Sequence, residues 1–330
     1  MKETAKAVSI SFGGISVKSY VIIPDVTCDL SGEIREYFKL DDYIRSHVHI
    51  NDESMRTTLD WENISREDFY KTLSNKKNKV TSAVASPEEY YRTFRKYAES
   101  GMDIISMSIS SVISSTHGVA LSAAERVRGE FPDCRIHCVD SSRMSGSFGL
   151  LVAYACEMRN SGRSFDEVVA WLEENKHRVH QMGPIDDLTF VARRGQISSG
   201  KAFMGNLIGV KPMGDSNADG YVTVLAKIKG IKKALDVTAA YIRLCATSPE
   251  DQYIFIMHSD REALALSLKE RLEAQLPCKK IFVSDVFSGC GTNIGPGMVA
   301  AYFLGEPVSD GCTREKQLLL QAISQIEERQ

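Results

Sequence analysis

Serine and threonine crowd into four turns of this 330-residue chain, each at the end of an apolar run or the start of a helical one. The first is Val80-Thr81-Ser82-Ala83, ahead of Ser86-Pro87-Glu88-Glu89. The second runs Ser108-Ile109-Ser110-Ser111-Val112-Ile113-Ser114-Ser115-Thr116. The third extends from Val139-Asp140-Ser141-Ser142 through Gly149-Leu150-Leu151, and the fourth is Gly291-Thr292-Asn293-Ile294-Gly295-Pro296-Gly297. Hydroxyls and backbone N–H groups at helix starts hold an anionic head group well, because the helix dipole and its unpaired donors point outward there. The turns contain no strong nucleophile–base pair, which favours binding over chemistry.

Other chemistries find weaker support. Asp25, Asp29 and Asp140 lie after apolar runs, where aspartate commonly holds a turn by hydrogen bonds. His47 and His49 alternate in a strand-like segment and His177 and His180 stand three apart, but neither pair has a third ligand at metal spacing, so no metal is expected. A serine-hydrolase elbow needs G-x-S-x-G; near Ser145 and Ser147 the glycines are Gly146 and Gly149, at the wrong offsets. No phosphate loop occurs, and Ile294 stands where a dinucleotide fingerprint starting at Gly289 needs its last glycine. No cofactor is expected.

With 40 basic and 43 acidic residues the net charge is -3, which argues against a nucleic-acid partner. No run reaches the roughly 18 apolar residues of a membrane span, and the first residues lack a signal-peptide pattern. Transient membrane contact is left open. The eight cysteines are scattered without a CxxC pair, as buried residues or free thiols of a reducing compartment. The cytoplasm is the expected location.

Strands and helices alternate along the first half, which calls for a parallel sheet covered on both faces. Strands are expected at residues 20–23, 47–50, 104–109 and 135–139. Ser65, Ser86 and Ser164 read as helix caps; Pro87 and Glu89 complete the start of the second of these helices. Further helices are expected over residues 119–129 and from near Gly149. Residues 188–230 are rich in glycine and turn signals, with a strand-like piece at 221–225. Strands follow at 253–257 and 281–286, a helix at 263–275, and the Gly-Pro-Gly turn is read as leading into an apolar helix from Met298. A domain boundary is placed near residue 160, giving units 1–160 and 161–330.

The order of the turns resembles the DegV family, whose members include the fatty-acid-binding subunits of bacterial fatty acid kinase. Asp25-Val26-Thr27-Cys28-Asp29-Leu30 is similar to its D-S-T-x-D-L, and Thr81-Ser82-Ala83-Val84-Ala85-Ser86-Pro87 to its T-S-Q-P-S-P. Ile109 to His117 resembles I-S-S-x-L-S-G-T-Y, with Ser115 for glycine, and Val139-Asp140-Ser141 with Gly149-Leu150-Leu151-Val152 resembles V-D-S…G-L-L-V. Arg193-Arg194-Gly195-Gln196-Ile197-Ser198 resembles R-K-G-G-R-I-S without its second arginine. Gly291 to Gly297 resembles G-T-H-x-G-P-G, with Asn293 for histidine.

The resemblance implies two α/β domains, an N-terminal parallel sheet and a C-terminal mixed sheet, both with flanking helices, and a lipid tunnel between them. A long-chain fatty acid would place its carboxylate among Thr81, Ser82, Ser111, Ser114, Thr116, Thr292 and Asn293. A separate ATP-binding fatty acid kinase subunit would phosphorylate it, with Arg193 and Arg194 as candidate docking residues. The chain itself would not be an enzyme. Helix capping is the plain alternative for the hydroxyls. A sensor for another small ligand, or a hydrolase using one of the serine clusters, is the alternative for the whole chain. Burying an acyl chain contributes about 0.8 kcal/mol per methylene, so the head group needs only enough donors to avoid an unpaired buried charge.

Overall fold

A computed structural model describes residues 10–12, 15–17, 19–193 and 209–328. After a short hairpin of β1 (Ile10–Phe12) and β2 (Ile15–Val17), the chain enters a sheet of three parallel strands. Their order is β3 (Tyr20–Pro24), β7 (Asp103–Ser108), β8 (Ile136–Asp140). Every residue of β3 and β7 is buried, as a strand covered on both faces requires. Helices α3 (Pro87–Glu99) and α4 (Thr116–Glu130) cover one face; α5 (Ser145–Asn160) and α6 (Phe165–Asn175) cover the other.

The caps read from sequence are present. Ser86 Oγ accepts from Glu89 N at 3.1 Å, and Ser65 Oγ from Asp68 N at 3.1 Å at the start of α2 (Arg66–Ser74). Ser164 opens α6 with a reciprocal box, its N–H donating to the Glu167 carboxylate at 2.7 Å.

The second large sheet is mixed. Its order is β13 (Lys280–Asp285), β12 (Tyr253–His258), β14 (Val299–Leu304), β9 (Val179–Met182), with β12 and β13 parallel and β14 antiparallel to both its neighbours. Helices α8 (Ile231–Cys245), α9 (Glu262–Glu273) and α11 (Thr313–Glu327) pack together around this half, and a hairpin of β10 (Val210–Ser216) and β11 (Val222–Lys229) lies against β9. The expected apolar helix from Met298 is therefore corrected to a strand. Val299 to Phe303 are all buried, and so short an apolar run with β-branched and aromatic ends suits an interior strand better than a helix.

Helix α5 joins the halves. From Ser145 to Cys156 every residue is buried, because the helix packs on β3 on one side and on β9, β12 and β14 on the other. Gly149 permits this approach: a Cβ there would lie 2.3 Å from the Cys28 carbonyl oxygen. One continuous core accordingly takes in Tyr20, Phe148, Phe255 and Phe282.

Two smaller pieces complete the frame around the site. An antiparallel sheet has the order β5 (Glu53–Arg56), β4 (His47–Ile50), β6 (Val80–Ala83). Helix α10 (Ser288–Ile294) follows β13 and packs against β4 and β6. Trp61 Nε1 donates to Asp285 at 2.9 Å and the Tyr70 hydroxyl to the Val286 carbonyl at 2.7 Å, tying this region to the mixed sheet.

Candidate functional site

All four hydroxyl-rich segments meet at the carboxyl end of the parallel sheet, the third through Met144, where open α/β sheets bind ligands. They surround a cavity of about 310 Å³ lined by Ser82, Ser114, Thr116 and Asn293 from the expected set. Asn293 on α10 donates an amide N–H to Ser82 Oγ on β6 at 3.0 Å. The Ser114 and Thr116 hydroxyls lie 2.7 Å apart, and Thr116 N–H donates to Ser114 Oγ at 3.3 Å. Ser115 occupies the cap position of α4 without a side-chain capping bond, and it also lines the cavity.

The other three expected residues stand elsewhere. Thr81 is next to Ser82 on β6 and does not line this cavity, whose wall on this segment runs from Ser82 through Ala85. Ser111 is exposed, and its N–H donates to Asp140 at 3.1 Å. Thr292 directs its hydroxyl back to the Ser288 carbonyl at 2.9 Å and borders a separate surface cleft. Arg193 closes the short helix α7 (Thr189–Arg193); its side chain, and the whole of Arg194, lie outside the described residues.

Sequence reasoning did not single out Thr27, Ser46 and Cys290 as cavity residues. Thr27 belongs to the Asp25–Leu30 motif already recognised, whereas Ser46 sits beside Thr57, 3.0 Å from its hydroxyl, with no local pattern to mark it.

The aspartates brace the turns as expected. Asp25 accepts from Thr27 N and Ile109 N, each at 2.9 Å, and from the Thr27 hydroxyl. Burial pushes its carboxyl upward, opposed by the bonds from Thr27 and Ile109. Asp29 accepts from the Ser145 hydroxyl at 2.5 Å and from Phe287 N at 3.0 Å, fixing the starts of α5 and α10 together. Its carboxyl is pushed up to about 8, chiefly by burial. The Cys290 thiol is held protonated by burial and by the neighbouring Asp29 and Asp25. All eight cysteines are free thiols.

Among the described residues no group of three or more metal-ligating side chains occurs. His180 is a core residue, with Nδ1 at 2.7 Å from Asp215 and Nε2 at 2.8 Å from the Glu306 carbonyl. No described helix is long and apolar enough to cross a membrane.

A second, apolar cavity of about 70 Å³ adjoins the first; Met144 and Ile294 line both. Its wall is built from β14, the β10–β11 hairpin and α7, through residues such as Val191, Met213, Val224 and Met298. Methionine is the most adaptable apolar side chain, so three of them (Met144, Met213, Met298) give this wall room to rearrange.

Residues 19–306 match the sequence model of a family described as uncharacterised protein, DegV family. The chain belongs to the DegV family. A DegV domain-containing protein of Clostridium perfringens is 32% identical over 290 residues, covering 88% of this chain and 99% of the relative. The fold agrees with that of a DegV protein from Thermus thermophilus described as binding fatty acid (TM-score 0.77, 24% identity, 87% of this chain and 99% of the other). It also agrees with the fatty acid kinase B3 protein of Streptococcus pneumoniae, solved loaded with linoleic acid (TM-score 0.74, 20% identity, 87% and 100%). This DegV chain shares their α/β architecture.

Proposed function

We propose that this DegV chain binds a long-chain fatty acid, with its head group in the hydroxyl-lined cavity and its acyl chain along the apolar one. The observation that carries the reading is that a hydroxyl-lined cavity and an apolar one adjoin at Met144 and Ile294, which line both. The fatty acids in the similar Thermus and Streptococcus structures support it. Ser82, Ser114, Thr116 and Asn293 are the head-group residues in this reading. Thr81, Ser111 and Thr292 act on the turns that carry them.

The chain serves as a binding subunit that presents the acid to a separate ATP-binding kinase subunit for phosphorylation. The kinase name carried by the Streptococcus protein supports this step. Arg193 and Arg194 are candidates for the docking face. The eight free thiols fit a cytoplasmic location, and a division near residue 160, where α5 ends, fits two sheets that share one helix.

Mass spectrometry of an organic extract of the purified protein, with titration against saturated and unsaturated acids, tests the binding. A lipid near one-to-one is expected; no lipid and no binding would sink the reading. Adding the cognate kinase subunit and ATP should yield acyl phosphate. Failure of that step alone would confine the chain to storage or sensing.

A further inference from the structure

The apolar cavity contains two polar side chains that a plain hydrocarbon chain leaves unmatched. Gln181 on β9 and Tyr302 on β14 both line it. They are direct partners in the antiparallel ladder, so their side chains leave the sheet on the same face. That face is turned toward α5. Tyr302 and Val179, two residues before Gln181, belong to the core that α5 completes, whereas Met182 and Phe303 pack on the opposite side of the sheet.

Tyr302 is held firmly. It is buried, and a Cβ added at Gly146 of α5 would run into its ring. Burial keeps its phenol protonated. The hydroxyl reaches the Met298 sulfur at 3.9 Å, a weak acceptor, and stands near the Ser145 hydroxyl, whose own proton goes to Asp29. Gln181 is partly buried and is committed through its backbone, whose N–H donates to Asp215 at 2.8 Å. Among the described residues no hydrogen bond reaches its side-chain amide. Around the pair the wall is apolar, with Ile185, Pro212, Met213 and Val224 among its residues.

Together the two side chains offer an amide N–H, an amide oxygen and a phenolic O–H within one stretch of wall. A saturated chain laid over them would displace water and replace none of its hydrogen bonds, which is unfavourable for each group covered. A hydroxyl on the chain can donate to the amide oxygen and accept from the amide N–H or the phenol. Pockets that hydrogen-bond a ligand hydroxyl discriminate strongly against the analogue lacking it, whereas purely apolar pockets discriminate weakly.

We infer that Gln181 and Tyr302 set the specificity of the apolar cavity for an oxygenated acyl chain, a fatty acid carrying a hydroxyl away from its head group. The inference rests on the fatty-acid reading above and names the class of acid. Neither residue lines the polar cavity, so this recognition is separate from the head-group contacts at Ser82, Ser114, Thr116 and Asn293.

Calorimetric titration of the full chain with stearic acid, and with hydroxystearic acids bearing the hydroxyl at carbon 3, 6, 9 or 12, tests the assignment. One hydroxy acid should bind wild type roughly five- to tenfold tighter than stearic acid, the effect of one or two neutral hydrogen bonds. That advantage should disappear in Gln181→Leu and in Tyr302→Phe, and Gln181→Leu should bind stearic acid at least as tightly as wild type. Thermal melts check that both variants fold. Should Tyr302→Phe melt early, Gln181→Leu decides, because position 181 is only partly buried. If no hydroxy acid binds tighter than stearic acid, the inference is overturned and the fatty-acid reading stands. A preference that survives both substitutions also overturns it, since the oxygen is then recognised elsewhere. If no acid binds wild type, the fatty-acid reading falls and the inference falls with it.

Discussion

Asn293 donates an amide N–H to the Ser82 hydroxyl at 3.0 Å, closing a contact between α10 and β6 across 211 positions of the chain. Both side chains line the polar cavity, so this bond sets the orientation of two head-group contacts at once. It also leaves the second amide hydrogen and the amide oxygen of Asn293 available to a ligand.

Ser114→Ala and Ser82→Ala should each weaken fatty acid binding by roughly fivefold, the equivalent of a neutral hydrogen bond of about 1 kcal/mol. Thr292→Ala should leave affinity unchanged, because that hydroxyl is committed to the Ser288 carbonyl inside α10. Fluorescence displacement gives the affinities and thermal melts give the stability. Losses of melting temperature with unaltered affinity at Ser82 and Ser114 would reduce them to structural hydroxyls.

Asn293→His should lower the pKa of the bound ligand's carboxyl, because an imidazolium favours the anion that burial otherwise opposes. Carbon-13 NMR of a carboxyl-labelled fatty acid reads that pKa directly in the complex. The fold should change little, since position 293 is only partly buried. An unchanged titration would place Asn293 away from the head group.

Much of this arrangement was legible because it is local. Serine caps, the hydroxyl turns at strand ends and the buried run of β7 each follow from a few adjacent residues. The divided fate of the turn residues was not. Thr81 and Ser82 look equivalent in sequence, yet the cavity wall begins only at Ser82, near the end of β6. Thr292 and Asn293 look equivalent too, but Thr292 finds a helical carbonyl one turn back. Ser46 carried no signal, because its place depends on β4 meeting β6. The error at Met298 has a similar cause: Val299 to Leu304 becomes an interior strand only when β9 and β12 flank it.

Asp29 gives the fold a pH dependence of definite sign. Its folded carboxyl is pushed up to about 8, mainly by burial, against about 3.9 in an unfolded chain. Between these values the folded state holds a proton that the unfolded state releases. The contribution is therefore complete at low pH and declines as pH rises toward 8. Thermal melts from about pH 4.5 to 8 should show wild type losing more stability than Asp29→Asn over that window. Parallel curves would mean that Asp29 is ionised in the folded protein, held by Ser145 and Phe287.

The apolar cavity yields the most direct test of where the acyl chain runs. Val224 on β11 is 6% exposed and lines that cavity. Val224→Phe places added bulk in the path of the chain, at a cost to stability of about 1–3 kcal/mol if the wall does not yield. Each methylene denied burial should lose about 0.8 kcal/mol, roughly fourfold in affinity. The variant should therefore bind long acids much more weakly than wild type and bind a short acid, whose chain ends before Val224, almost as well. Titrating saturated acids of increasing length against both proteins shows this as a shift of the optimum toward shorter chains. A uniform loss at every length would instead report a general distortion, and no loss at any length would route the chain away from the β10–β11 hairpin.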